Sequence, residues 1–184
     1  LRNKKTLQDP NYGIVSYEYD AVGNIRKIVN PKGETIGYGY DMLGRMSSIN
    51  MTDPKNEKSV TTRWIYDDEK GKNGMLKKVV TDNHTIDYLY DEYLRLLGKT
   101  ETIRGNEYKT SYTYDPANRI SSITYPSGLC VSKVFSNSGY EKAICDGDTL
   151  LWKVVETMAD GSVTEYQLGN GVRTKISYNP HTSL

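Results

Sequence analysis

The fold of this chain is decided by one nine-residue stretch, Tyr38-Gly39-Tyr40-Asp41-Met42-Leu43-Gly44-Arg45-Met46. Its two tyrosines alternate with a glycine, which places both rings on the same face of a strand. Asp41 and Gly44 then take the first and fourth positions of a four-residue turn, a pattern typical of a type I turn. Gly44 can adopt the positive φ of a three-residue hairpin loop with a bulge. The stretch therefore predicts two antiparallel strands joined by a tight turn.

The aromatic-x-Tyr-Asp pattern occurs five times in the first two thirds of the chain. The copies are Tyr17-Glu18-Tyr19-Asp20, Tyr38-Gly39-Tyr40-Asp41, Trp64-Ile65-Tyr66-Asp67, Tyr88-Leu89-Tyr90-Asp91 and Tyr112-Thr113-Tyr114-Asp115. Successive copies are 21, 26, 24 and 24 residues apart. Turn glycines Gly23 and Gly44 and the following arginines Arg45 and Arg119 complete the repeat motif. A repeat of this length is the signature of a tandem array.

The motif weakens after residue 123. Val134-Phe135-Ser136 keeps a trailing Gly139, a degenerate copy lies near Lys153-Val154-Val155-Glu156, and Ser177-Tyr178-Asn179 resembles a further start. A second set of turns, such as Pro31-Lys32-Gly33 and Pro126-Ser127-Gly128, closes the other side of each unit. We expect one array over residues 1–184 with about eight repeats, clearest over 17–123 and degenerate over 124–184, excised from a longer protein.

Three turns depart from the pattern. Asn118 takes the glycine position of the fifth copy and tolerates the left-handed region. Leu94 takes it in the fourth copy, so that turn must either differ or be strained. The third turn, residues 67–74, is enlarged and charged.

Composition restricts the classes of function. With 16 Tyr and only 1 Phe, nearly every ring carries a hydroxyl, which suits a thin structure whose rings have one apolar flank and one hydrogen-bonded tip. The net charge of +1 comes without a basic stripe, so we expect no nucleic-acid partner. No apolar run reaches the 18 residues of a membrane span. Neither end looks like a natural terminus, and we expect any targeting signal to lie outside this segment.

The repeat unit resembles the YD (Rhs) repeat. That family includes bacterial Rhs and wall-associated polymorphic toxins, the B and C components of insecticidal toxin complexes, and the teneurins. The resemblance implies an all-β fold in which tandem antiparallel β-hairpins form a curved, spiralling sheet, here a fragment of a hollow β-shell. It also implies that in bacterial members the shell encloses a toxic C-terminal domain.

The sequence predicts no catalytic, cofactor-binding or metal-binding residue. Cys130 and Cys145 would be opposite each other with a two-residue loop, whereas a three-residue loop would pair Cys130 with Asp146, and we favour two free thiols. His84 and His181 are too far apart in sequence for a metal pair, and we expect surface histidines. Asp67-Asp68-Glu69 could bind a cation weakly, but a solvated loop is favoured.

The function favoured by the sequence is a structural, non-enzymatic shell segment that encapsulates a C-terminal toxin or effector domain. Its partners would be the rest of the shell and the enclosed domain, in a secreted or cell-surface bacterial protein. The alternative is a cell-surface adhesin or carbohydrate-binding module, in which exposed tyrosines and Trp64 or Trp152 stack on glycans. A plain spacer in a surface stalk is a third possibility.

Overall fold

The computed structural model describes residues 3–68 and 74–179. Sixteen strands form one antiparallel sheet whose strand order follows the chain from β1 to β16. The predicted all-β architecture of tandem antiparallel hairpins is confirmed. Within the described residues, no helix has the length and apolar character needed to cross a membrane.

The strands are short and joined by tight turns. Their bounds are β1 Thr6–Asp9, β2 Gly13–Tyr19, β3 Ile25–Val29, β4 Thr35–Tyr40, β5 Met46–Asp53, β6 Lys58–Tyr66, β7 Leu76–Val80, β8 His84–Tyr90, β9 Leu96–Ile103, β10 Asn106–Tyr114, β11 Ile120–Thr124, β12 Cys130–Phe135, β13 Glu141–Asp146, β14 Thr149–Thr157, β15 Val163–Leu168 and β16 Arg173–Lys175.

The chain divides into two compact units. One comprises the residues up to Arg95 together with Lys99–Tyr108, and the other comprises Leu96–Gly98 together with the residues from Lys109 onward. In each unit, sequence neighbours pair as strands, so the ladder between consecutive strands supplies most of the contacts.

The turn after each Tyr-Asp pair has the predicted geometry. In the turn between β4 and β5, the Gly44 N–H donates to Asp41 O at 3.0 Å and the Asp41 N–H donates to Arg45 O at 2.9 Å. Gly44 has a φ of +75°, the left-handed conformation that a three-residue loop with a glycine bulge requires. The aspartate and glycine together therefore define the loop.

A second irregularity follows this turn in the same place in several repeats. Tyr40 pairs with Met46, but the next pair is Gly39 with Ser48, which leaves Ser47 as a bulge. The same shift follows the pairs Tyr19–Ile25, Tyr66–Leu76, Tyr114–Ile120 and Phe135–Glu141. One extra residue in the second strand of each hairpin is thus a feature of the repeat.

This second bulge corrects the expected cysteine register. The structure pairs Cys145 with Ser132 and Asp146 with Val131, so neither predicted partner of Cys130 is right. The loop is the three-residue type, since the Gly139 N–H donates to Ser136 O at 2.9 Å. The bulge beyond it then shifts the ladder by one further residue. Both cysteines are half-buried free thiols in the structure.

The sheet is a single layer without a conventional core. Among the described residues, Val15 is the one buried hydrophobic residue, at 9% exposed, and Glu165 the one buried charged residue, at 7%. The Glu165 carboxylate lies 3.4 Å from Arg173 Nη1 and 3.5 Å from Lys175 Nζ. Because most other strand residues are half-buried, hydrogen bonds and cross-strand pairs carry a larger share of stability than in a layered domain.

Leu94 adopts the same turn as the glycine-containing copies. The Leu94 N–H donates to Asp91 O and the Asp91 N–H to Arg95 O, both at 3.0 Å. Leu94 has a φ of +62°, as does Asn118 in the next copy. Of the two predicted alternatives, a different turn or a strained one, the structure has the strained one, because a branched side chain is disfavoured at positive φ.

Replacing Leu94 by glycine is expected to stabilise the protein by about 1 kcal/mol, because the backbone strain at positive φ disappears. The measurement is the thermal unfolding midpoint of the chain. Gly44→Leu is the matched control and should lower the midpoint by placing the same strain in an unstrained copy. A lower midpoint for Leu94→Gly would show that contacts of the leucine side chain outweigh the strain.

Candidate functional site: the linked repeat motif

The aspartate carboxylate organises each turn. In the second repeat, Asp41 Oδ1 accepts hydrogen bonds from the main-chain N–H groups of Leu43 and Arg45, both at 2.9 Å. Asp20, Asp91 and Asp115 make the same pair of bonds in their own turns. The side chain thus satisfies amides that the tight loop would otherwise leave without a partner.

The second carboxylate oxygen holds the arginine that follows the turn. Arg45 Nε donates to Asp41 Oδ2 at 2.7 Å, and the same bond joins Arg95 to Asp91 and Arg119 to Asp115. In the first repeat, Asn24 Nδ2 donates to Asp20 Oδ2 at 3.1 Å instead. Charge-assisted bonds of this kind fix the guanidinium plane.

Two of these guanidinium groups cover an aromatic ring of the next repeat. Arg45 Cζ lies 4.1 Å from the centre of the Tyr66 ring, and Arg119 Cζ lies 4.1 Å from the centre of the Phe135 ring. Both distances fall within the range of cation–π attraction. The turn of one repeat therefore contacts the aromatic side chain of the next.

The hydroxyl of the second tyrosine in the motif bonds to the main chain of the adjacent strand. Tyr40 Oη donates to Ile25 O at 2.9 Å, and Tyr66 Oη donates to Met46 O at 3.0 Å. The equivalent bonds run from Tyr19 to Lys4 O, Tyr90 to Leu76 O, Tyr114 to Leu96 O and Tyr178 to Val163 O. We call this set of bonds the hydroxyl ladder.

The acceptor of each bond from Tyr40 to Tyr114 is the first residue of the strand after the previous turn. Ile25 and Met46 both precede the second bulge, and the ladder from β3 to β4 begins beyond Ile25, at the pair Lys27–Gly37. A carbonyl beyond the end of the ladder needs another donor. The tyrosine hydroxyl supplies that donor.

The first aromatic residue of the motif packs across the sheet. Tyr17, Tyr38, Trp64 and Tyr112 are directly opposite Ile28, Ile49, Val79 and Ile123. Pairs of an aromatic and a β-branched residue stabilise a sheet by about 0.2–1 kcal/mol each. Tyr88 is half-buried on β8 in the equivalent motif position.

The third repeat keeps the closing bonds of its enlarged turn. The Asp67 N–H donates to Met75 O at 2.8 Å and the Gly74 N–H donates to Asp67 O at 3.2 Å. Met75 stands where the second, fourth and fifth repeats have arginine. The remainder of the turn, residues 69–73, lies outside the described residues, and so does Glu69 of the Asp67-Asp68-Glu69 stretch that we expected to be a solvated loop. His181 also lies outside them.

The described residues contain no group of three His, Cys, Asp or Glu that could hold a metal ion. His84 is half-buried, with Nε2 3.4 Å from Glu101 Oε2. Trp64 and Trp152, the predicted glycan-stacking residues, are also half-buried, and the Trp152 ring centre lies 6.2 Å from that of Tyr166.

A shallow apolar cavity of about 440 Å³ lies on the aromatic face of β2 to β6, lined mainly by Val15, Ile28, Ile36, Met51 and Val60. Ile28, Ile36, Met51 and Val60 form one continuous cross-strand row. This row was not predicted from the sequence, although the alternation of apolar and polar residues within each strand indicates it.

Comparisons with known proteins support the repeat assignment. Residues 19–58 and 90–129 match the RHS Repeat family. The crystal structure of TcdB2-TccC3 superposes with a TM-score of 0.82 at 16% identity, over 98% of this chain and 10% of that chain. The crystal structure of TcdB2-TccC3-Cdc42 gives 0.82 at 16% identity, over 97% and 10%. A Photorhabdus luminescens Tc holotoxin pore with a TccC3 mutation gives 0.79 at 15% identity, over 97% and 10%.

Two segments of the chain thus match the RHS Repeat family, and the chain shares the fold of the similar solved structures. These findings confirm the resemblance to the YD (Rhs) repeat family and the fold that TcdB2-TccC3 contains. The chain spans 10% of the length of those solved chains. No curated protein sequence matches it.

Phe135 occupies the place of a ladder tyrosine but has no hydroxyl. Phe135→Tyr is expected to stabilise the chain by about 1 kcal/mol, by donating to the Ile120 carbonyl. Tyr40→Phe, which removes one hydroxyl and keeps the ring, should destabilise it by about 1 kcal/mol. The midpoints of thermal unfolding test both. A loss for Tyr40→Phe without a gain for Phe135→Tyr would mean that the Ile120 carbonyl is not aligned with the ring.

The turn aspartates make stability depend on pH. The Arg119 N–H is the largest influence on Asp115 and, with the Arg119 side chain and the Ala117 N–H, holds the pKa of that carboxyl below its ordinary value of 3.8. For Asp41 and Asp91, partial burial is the largest influence and raises the pKa, but hydrogen bonds from Arg45 and Arg95 outweigh it and the pKa is lowered.

Because the folded-state pKa is lowered, the stabilisation is present above the ordinary carboxyl pKa and is lost as the pH falls through the folded value. The unfolding midpoint should therefore decline between about pH 5 and about pH 2. The double variant Asp91→Asn, Asp115→Asn should have a lower midpoint at neutral pH and a shallower decline in acid. An equally steep decline in the variant would assign the acid sensitivity to other carboxyls.

Proposed function

We propose that this chain is a segment of the wall of a Rhs-repeat shell, which encapsulates a C-terminal toxin or effector domain of the same parent protein. The observation that carries the proposal is the hydroxyl ladder, together with the arginine–ring contacts. From the second repeat to the fifth, the hydroxyl bonds join each hairpin to the preceding one in a single-layer sheet, and Arg45 contacts the Tyr66 ring of the next repeat. A wall needs strong contacts between neighbouring strands and does not need a core of its own. The motif supplies those contacts.

A wall role is non-enzymatic, and the motif residues support it. The carboxylates of Asp41, Asp91 and Asp115 each accept from two main-chain amides and one arginine. Carboxylates held in this way stabilise turns and have no remaining role as general acids or bases. The proposal includes two predictions made from the sequence. One is that the chain is a single array of about eight repeats, and the other is that the motif residues are structural.

The proposed partners are the remainder of the repeat sheet and the enclosed domain. The similarity to TcdB2-TccC3 supports an assembly of toxin components, and secretion or surface exposure in a bacterium accords with it. The parent chain is proposed to be several times longer than these 184 residues, since the similar solved chains are about ten times longer.

A second candidate is glycan adhesion, supported by the exposed rings of Tyr93 and Tyr140, which are 71% and 56% exposed. Tyrosine and tryptophan rings can stack on sugars while their polar tips remain hydrated. A glycan array with the chain and its Tyr93→Ala variant separates this candidate, since Tyr93 is exposed whereas Trp64 packs opposite Val79. Binding that is lost in the variant would support adhesion, and the absence of any bound glycan would remove it. A surface-stalk spacer predicts neither a cargo nor a glycan.

The shell proposal is tested by limited proteolysis of the native parent protein with mass-spectrometric mapping. We expect a resistant assembly that retains a distinct C-terminal fragment, and release of that fragment only after denaturation. In a parent protein that carries Tyr40→Phe and Tyr66→Phe, the C-terminal fragment should be released at a lower denaturant concentration. A parent whose repeats end at a wall anchor, with no protected downstream domain, would contradict encapsulation.

A further inference from the structure

The two faces of strand β4 differ sharply. Ile36, Tyr38 and Tyr40 alternate with Thr35, Gly37 and Gly39, so the face opposite the tyrosine rings carries two glycines in succession. Gly37 lies in a cross-strand row between Lys27 and Asn50, and Gly39 is opposite Ser48. These glycines form the floor of a polar cavity of about 560 Å³, bordered by Glu18, Arg26, Lys27, Thr35, Ser48 and Asn50. We call it the glycine trough.

The fold does not require glycine at position 37. Gly37 is not among the residues with positive φ, and a Cβ added there would meet only Asn50 O, at 3.9 Å, an ordinary van der Waals contact. Glycine inside a strand weakens the strand. In such positions it often marks a place where a ligand or another backbone approaches closely. At Gly39 a Cβ would meet the Ser48 hydroxyl, which is the end of a rotatable side chain.

The charged side chains around the trough lack close ion-pair partners among the described residues, although Glu18 is directly opposite Lys27 in the ladder. In the part of the chain that the structure describes, Glu18, Arg26 and Lys27 make no side-chain hydrogen bond or ion pair. Arg63, directly opposite Ser48 and therefore on the same face, makes none either. Three cations and one carboxylate leave an excess of positive charge along the trough. By contrast, Arg45 and Lys78 elsewhere in the same sheet have carboxylate partners.

We propose that the glycine trough binds an acidic peptide segment in extended conformation. Gly37 allows its backbone to approach the sheet closely, and Arg26, Lys27 and Arg63 pair with its carboxylates. Ser48 and Thr35 offer hydroxyls to its main chain. The site is separate from the hydroxyl ladder, since it lies on the opposite face of β4. It does not depend on the proposed wall role.

The test measures binding of a fluorescein-labelled hexaglutamate peptide to the chain by fluorescence anisotropy, with hexalysine as the charge-reversed probe. Hexaglutamate should bind and hexalysine should not, and the affinity should fall as salt is added. Gly37→Thr should weaken binding at least about tenfold and at the same time raise the thermal unfolding midpoint, because threonine favours strands. A structural role for Gly37 would lower that midpoint instead.

Two further variants complete the design. Arg26→Ala, Lys27→Ala should weaken binding and flatten its salt dependence, whereas Lys142→Ala, which removes an exposed charge from β13, should leave binding unchanged. Circular dichroism confirms that each variant folds. The proposal is overturned if hexaglutamate fails to bind, if Gly37→Thr binds it equally well, or if hexalysine binds as tightly. Binding of a sulfated oligosaccharide in place of hexaglutamate would overturn the ligand class.

Discussion

The hydrogen bond from a tyrosine hydroxyl to the first carbonyl of the neighbouring strand is the interaction on which the rest of this sheet depends. It forms only if that carbonyl lies beyond the end of the regular ladder, which the bulge after each turn ensures. It also requires a fixed ring. In the second repeat, Asp41 holds Arg45, and Arg45 covers the Tyr66 ring that reaches back to Met46. The turn, the bulge and the ring therefore form one linked set of contacts.

This linked set of contacts allows the sheet to form without a large buried core. In a layered domain a change in one core residue affects many neighbours, because interiors are closely packed. Here each repeat contacts the repeats beside it, so stability is approximately a sum over neighbouring units. The degenerate repeats after residue 123 can then lose motif residues without loss of the sheet. The pair Phe135–Glu141, for example, keeps the register although Phe135 has no hydroxyl to donate.

Sequence alone was sufficient for the elements that rest on local chemistry. The Asp-x-x-Gly pattern gave the turn type, and the iteration of aromatic-x-Tyr-Asp gave the hairpin repeat. Sequence alone was insufficient for the strand register, which depends on two local features acting together. The register of Cys130 and Cys145 depends on a bulge after the loop that has no residue signature, since its positions are occupied by residues as different as Arg26, Ser47 and Lys142. The hydroxyl acceptors were missed for the same reason.

The glycine at position 37 illustrates a further limit. In the sequence, Tyr38-Gly39-Tyr40 reads as a repeat motif with a neutral spacer, and Gly37 carries no distinct signal. Only the register shows that Gly37 and Gly39 lie beside Lys27 and Ser48 on one face, and that the backbone at Gly37 imposes no need for glycine.

The strand order has a consequence for how the chain acquires its structure. Every strand is paired with the strands next to it in sequence, and the hydroxyl bonds join residues only 14 to 20 positions apart. Contact order is therefore low for an all-β protein, and low contact order favours rapid folding. A nascent chain can add one hairpin at a time to the edge already formed, each new tyrosine bonding to a strand that is already in place. The most recently formed strand always exposes an unpaired edge, and the next hairpin to be synthesised is the segment positioned to cover it.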